Sequence, residues 1–134
     1  MTDAIKVPLS FGEVMDKITI LEIKSERMHD EEKIRNVRFE LEALNRVWEH
    51  EIKASSDVED LRAQLKVVNE ELWVIEDDIR AQEAMQDFGA RFISLARSVY
   101  FTNDRRAAIK KEINRILGSR FIEEKSYQDY TSTS

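Results

Sequence analysis

Apolar residues recur at alternating steps of three and four along four stretches of this chain, which is the spacing of amphipathic α-helices. The first stretch follows Ser10, which forms a capping-box pattern with Glu13 and so predicts a helix start. The third stretch, 58–79, keeps its apolar seam without an error. The fourth stretch, 88–116, ends just before Gly118, a residue typical of helix C-termini. The pattern therefore predicts four helices, of which the last two are long.

Short polar segments divide these helices and set their order. We expect a break with a new cap at His29 and Asp30, an end of the second helix near Ala54, and a cap of the third helix at Ser56. The predicted fold is all-α: an antiparallel bundle of four helices, built as two helical hairpins, whose third and fourth helices are coiled-coil-like. One domain is predicted over 1–134, with an extended N-terminal arm at 1–9, the bundle at 10–118 and a C-terminal tail at 119–134.

Composition narrows the function classes. The 134 residues include no Cys, which excludes disulfides and thiol nucleophiles. The single Glu-x-x-His spacing, Glu26 to His29, lies off the apolar seam, so no metal site and no cofactor are predicted. No stretch is apolar enough to cross a bilayer, which predicts a cytoplasmic protein without a membrane partner.

Charge is distributed unevenly between the two long helices. Residues 55–87 carry a balance of −7, whereas residues 88–120 carry +6, within a total of −6. One interpretation is that neighbouring acidic and basic helices attract each other. The other is a basic groove for a nucleic acid or a phosphorylated sugar, although the acidic total argues against nucleic acid.

The apolar seam of the fourth helix is interrupted at Thr102 and Arg106. A guanidinium on a seam requires a carboxylate, because an isolated buried charge is costly, and Glu70 or Glu71 is the expected partner. One hypothesis is a buried ion pair that sets the helix register. The other is an anion-binding cleft, since the planar guanidinium matches carboxylate and phosphate oxygens; its wall would be Thr102, Asn103, Asp104, Arg105 and Arg106.

A second candidate site lies at the start of the first helix, where Glu13, Asp16 and Lys17 cluster. Carboxylates in a first turn also stabilise the helix dipole, which is a sufficient structural reason for them. Both interpretations stay open at this point.

Several segments of the chain resemble a family of short bacterial proteins of unknown function. They are FGEVMDKITILEIK at 11–24, LWVIEDDIR at 72–80, LARSVY at 95–100, NDRRA at 103–107 and EEKSY at 123–127. The resemblance implies no activity, but it singles out polar positions that packing alone does not demand, and it suggests that the tail folds back onto the bundle. These positions are Glu13, Asp16, Lys17, Lys24, Glu76, Tyr100, Asn103, Asp104, Arg106, Lys125 and Tyr127.

A second resemblance, over residues 16–27, is to the first helix of the all-helical chorismate mutases, although the helix break at His29 departs from that pattern. Two hypotheses follow for function. The first is a non-enzymatic oligomeric module, expected to be a homodimer through the second faces of the first and third helices, that binds a partner protein. The second is a site, enzymatic or not, for a small anionic metabolite, built from residues 102–106 with Lys17 or Lys24.

Overall fold

The computed structural model of this protein describes residues 3–130. It contains four α-helices, α1 (Phe11–Arg27), α2 (Glu31–Glu51), α3 (Ser56–Ala84) and α4 (Ala90–Leu117). No strand occurs in this part of the chain. The predicted all-α fold is therefore confirmed, while the ends of the predicted arm and tail, residues 1–2 and 131–134, lie outside the described residues.

The helix starts follow local capping chemistry. Ser10 caps α1 by accepting a hydrogen bond from the backbone N of Glu13 at 3.2 Å, as predicted. Asp30 caps α2 in the same way. The predicted cap of α3 at Ser56 is wrong by one residue, because Ser55 has the extended backbone that an N-cap requires and Ser56 is already helical.

Two other predicted boundaries shift. The second helix ends at Glu51, three residues before the expected end. The fourth helix begins at Ala90 rather than Phe88, because Gly89 has the extended backbone of an N-cap; its backbone N donates a hydrogen bond to Asp87 Oδ1. Gly118 ends α4 in the left-handed conformation, with φ of 67°, as its position predicts.

The first helix is the common packing partner of the fold. It contacts α2, α3 and α4, while α3 and α4 pair as a hairpin. Met15 and Ile18 of α1 are fully buried against Leu65 of α3 and Ile113 of α4. Ile23 is also 1% exposed, so α1 is buried on more than one face within a single chain. The bundle is thus built around its shortest helix, with α2 packed on α1.

The tail runs back along α4 without regular structure up to residue 130. Glu123 contacts Lys110 and Tyr130 contacts Asp104, which confirms that the tail folds onto the bundle. None of the described helices is both long and apolar enough to span a bilayer.

Candidate functional site

A buried ion pair joins α1 to α4 at the point where the seam of α4 is interrupted. Arg106 donates from Nε to Asp16 Oδ1 at 2.9 Å and from Nη2 to Asp16 Oδ2 at 2.5 Å. The Asp16 side chain is 2% exposed and the Arg106 side chain 29%. The partner is therefore neither Glu70 nor Glu71, as expected from the hairpin alone. α1 inserts its own carboxylate between the two long helices.

The fold keeps Asp16 ionised. Burial opposes its charge, but hydrogen bonds from Arg106 and Asn69 outweigh that cost, so the pKa of Asp16 lies below its ordinary value. The pKa of Arg106 is raised, chiefly by its hydrogen bond to Asp16. A bidentate, fully ionised pair of this kind has a fixed geometry and holds the two helices in one register.

Asn69 ties α3 to the same carboxylate. Its Nδ2 donates to Asp16 Oδ1 and to Thr19 Oγ1, both at 3.0 Å. Thr19 Oγ1 in turn donates to the backbone carbonyl of Asp16 at 2.9 Å. The three residues are buried, and together with Arg106 they connect α1, α3 and α4 through one carboxyl group. The predicted level of Arg106, opposite Asn69, is therefore right even though its partner differs.

A second cluster lies one turn further along α4. Lys110, whose side chain is 9% exposed, contacts Glu13 of α1 at 3.0 Å and Glu123 of the tail at 2.8 Å. Burial lowers the pKa of Lys110, but hydrogen bonds to Glu123 and Glu13 more than offset this, so the pKa is raised and the ammonium group persists. This lysine therefore joins the tail to α1 across α4.

The start of α1 approaches the backbone of α4 very closely. Gly12 donates its backbone N–H to Asn114 Oδ1 at 2.7 Å. A Cβ at residue 12 would lie 2.5 Å from the carbonyl oxygen of Lys110, a distance that no side chain tolerates. Glycine is therefore needed here to bring Glu13 and Asp16 within reach of their cations.

The side chains of the other site residues predicted on α4 point in different directions. Arg105 pairs with Glu71 on the side away from α1. Asp104 accepts a hydrogen bond from Tyr130 of the tail, whose ring lies against Tyr100. Asn103 is half-buried. The structure thus brings Glu13, Asp16 and Arg106 into neighbouring clusters, but it does not gather residues 102–106 around a single cavity.

The two lysines predicted on α1 lie apart from both clusters. Lys17 is exposed and Lys24 is half-buried. Among the described residues neither forms an ion pair. Within residues 3–130 these two predicted cations have no carboxylate partner.

A shallow apolar groove runs between α3 and α4 on the side of Arg105. Its volume is about 560 Å³, and we call it the outer groove. Val67 in its floor is 56% exposed, and the pair Glu71–Arg105 crosses it. Its lining residues are Ala63, Gln64, Val67, Val68, Glu71, Arg105, Ala108 and Ile109.

Comparison with known proteins places the chain by sequence. The model of a family of unknown function, DUF6165, matches residues 5–134. The chain belongs to this family. Neither the curated proteins nor the solved structures include a match. The resemblance predicted from the motifs is confirmed as membership of a family of unknown function, so any activity has to be argued from geometry.

Besides Thr19, sequence reasoning missed five members of the two clusters in this DUF6165 chain. They were hard to find because each has an ordinary local role: a glycine after a cap, two amides inside helices, a lysine in a basic segment and a glutamate in a tail. The apolar pattern did contain a usable signal, since Asn69 and Lys110 fall beside seam positions where a polar side chain must find a partner. The five are Gly12, Asn69, Lys110, Asn114 and Glu123.

Proposed function

We propose that this protein is a non-enzymatic interaction module that forms a homodimer through the outer groove of α3 and α4, and in this form binds a partner protein. The observation that carries the proposal is the groove itself: an apolar surface, crossed by one ion pair, that nothing in the described chain covers. Apolar surface of this kind marks interaction sites when it is contiguous.

The size of this face suits a second copy. The helices α3 and α4 contain 29 and 28 residues. At 1.5 Å per residue and roughly 10 Å per helix, two such helices side by side offer about 800 Å², the area that each partner buries in a standard interface. Coiled-coil packing between two hairpins would convert the pair of helices into a four-helix bundle.

The charges on this face are complementary to those on the same face of a second copy. Glu71 lies on acidic α3 and Arg105 on basic α4, at the same level of the groove. A two-fold axis parallel to the helices would bring α3 of one copy opposite α4 of the other, so that each carboxylate would face an arginine of the partner. An unrelated partner would have no reason to match this arrangement.

The opposite side of the hairpin is already occupied. α1 covers it, and the second face of α1, which we predicted to enter the dimer, contains Ile23 at 1% exposure. The sequence predicted a dimer interface formed by α1 and α3. The interface proposed here keeps the second face of α3, which includes Val67, and uses α4 in place of α1.

The alternative of an anionic-metabolite site at residues 102–106 has less support. Arg105 and Arg106 each have a carboxylate partner, and Lys110 has two. An incoming anion would have to displace these carboxylates. A bacterial, cytoplasmic setting stays a prediction from the sequence.

Light scattering coupled to size-exclusion chromatography tests the dimer. The unmodified protein should elute with twice the chain mass of 15.8 kDa. Val67→Glu should give the mass of one chain with unchanged helical circular dichroism, because it places a charge on an exposed apolar position. Phe39→Glu on α2, where the side chain is 76% exposed, is the matched control and should leave the dimer intact.

Charge exchange adds a test of the symmetry. Arg105→Glu and Glu71→Arg should each weaken the dimer, and the double variant should restore it. A mass of one chain for the unmodified protein at every concentration would reject the proposal, as would a dimer that survives Val67→Glu.

A further inference from the structure

A second cavity lies between α4 and the end of the tail. Its volume is about 560 Å³, within the range of small-molecule sites. It shares no lining residue with the outer groove. Its lining residues are Tyr100, Asp104, Lys125, Tyr127, Gln128, Asp129 and Tyr130.

Aromatic faces form much of its wall. The rings of Tyr100 and Tyr130 have their centroids 5.0 Å apart, and Phe101 packs edge-on against Tyr130 at 4.9 Å. Tyr127 also lines the cavity and is 79% exposed. Tyrosine faces carry negative quadrupole potential, which attracts cations.

The charges of the wall favour the same kind of ligand. Asp104 and Asp129 contribute two carboxylates, against one ammonium group from Lys125. Tyr130 donates its hydroxyl hydrogen to Asp104 Oδ2 at 2.5 Å, and this bond raises the pKa of Tyr130 to about 12. The phenol therefore remains a neutral donor beside the Asp104 carboxylate.

The chain already places a cation here. Lys125 Nζ lies 5.4 Å from the centroid of the Tyr127 ring. The same ammonium group contacts Glu123 at 3.3 Å, outside the cavity lining. Lys125 is thus an internal ligand that already contacts the Glu123 carboxylate and can keep this contact when it leaves the ring.

We propose that the cavity of Tyr100, Tyr127 and Tyr130 with Asp104 binds a small organic ammonium ion, which replaces Lys125 over the Tyr127 ring. The aromatic faces supply cation–π attraction and the carboxylates supply the countercharge. The site is independent of the outer groove and of the dimer.

Titration calorimetry with choline and with 3,3-dimethyl-1-butanol, its uncharged isostere, tests the charge requirement. Choline should give saturable binding, and the isostere none. Tyr127→Ala should weaken choline binding about tenfold, the effect of losing one good cation–π contact, while Tyr127→Phe should preserve it. Phe39→Ala, which removes an exposed aromatic ring from α2, is the control and should have no effect.

Lys125→Ala decides whether the lysine is a competitor or part of the recognition site. Removal of a competitor should strengthen choline binding. The proposal is overturned if choline does not bind, if the isostere binds equally well, or if inorganic phosphate binds instead and requires Lys125.

Discussion

Two neighbouring arginines on α4 belong to two different regions of the molecule. Arg106 points toward α1 and holds Asp16, whose side chain is 2% exposed, whereas Arg105 points to the outer groove and holds Glu71, whose side chain is 43% exposed. Both form carboxylate pairs between helices. The two pairs differ in their surroundings. The Arg105–Glu71 pair is exposed to water, whereas the Asp16 carboxylate of the Arg106 pair is buried in the protein.

The α3–α4 hairpin therefore has an inner face, which packs against α1, and an outer face, which is exposed. On the inner side, α1 brings Glu13 and Asp16 against the cations of α4, and each charge is compensated within the chain. On the outer side, Val67 is 56% exposed beside a solvated ion pair, with the exposed Ala63 and Ala108 in the same groove. Strong coupling of helices therefore belongs to one face of the hairpin, and the exposed apolar residue Val67 lies on the other.

Arg106→Met should produce the largest loss of stability. It leaves the Asp16 carboxylate buried without its main partner, and the breaking of such a pair costs about 3–5 kcal/mol. Arg105→Met, one residue away, should cost less than about 1 kcal/mol, since it removes an exposed pair. Urea unfolding at a concentration below that of self-association measures both. Equal losses in the two variants would show that the inner and outer faces do not differ in this way.

Gly12→Ala should destabilise the contact between α1 and α4. A methyl group at 2.5 Å from the Lys110 carbonyl oxygen forces the helices apart and stretches the pairs of Glu13 and Asp16, at a cost of about 1–3 kcal/mol. Gly89→Ala is the matched control, because its Cβ would meet only the Asp87 side chain at 3.3 Å. A Gly12→Ala protein as stable as the control in urea would rule out close approach as the reason for glycine.

The helices could be predicted from the sequence because each carries its own apolar stripe and three of them begin at a side-chain cap. The ion-pair partner could not be predicted, because the position of Arg106 on α4 indicates which level of α3 it faces but says nothing about a third helix inserted beside them. A carboxylate near a helix start has a local explanation in the sequence, but Asp16 lies beyond the first turn of α1, whose acidic residue is Glu13. Only the close approach allowed by Gly12 makes Asp16 the partner of Arg106.

Acid should weaken the inner region selectively. The pKa of Asp16 is lower in the folded protein than its ordinary value of 3.8, so the folded state binds fewer protons than the unfolded state near that pH. Its contribution to stability is complete above the ordinary value and is lost as pH falls through the lowered one. Urea unfolding from about pH 7 to about pH 3 should show a shallower acid decline for Asp16→Asn than for the unmodified protein. Parallel declines would show that Asp16 is not the group concerned.

The smallest effect is expected where the tail meets the inner region. Glu123→Gln weakens the contacts of this carboxylate with Lys110 and with Lys125, yet Lys110 keeps Glu13, so the global stability should change little while the tail detaches more often. Glu124→Gln is the matched control, since the neighbouring carboxylate forms no ion pair in the described chain. Trypsin cleavage after Lys125 under native conditions should accelerate in the first variant and not in the second. Because cleavage of a transiently released segment reports its opening equilibrium, equal rates in both would mean that the Lys110 contact does not hold the tail.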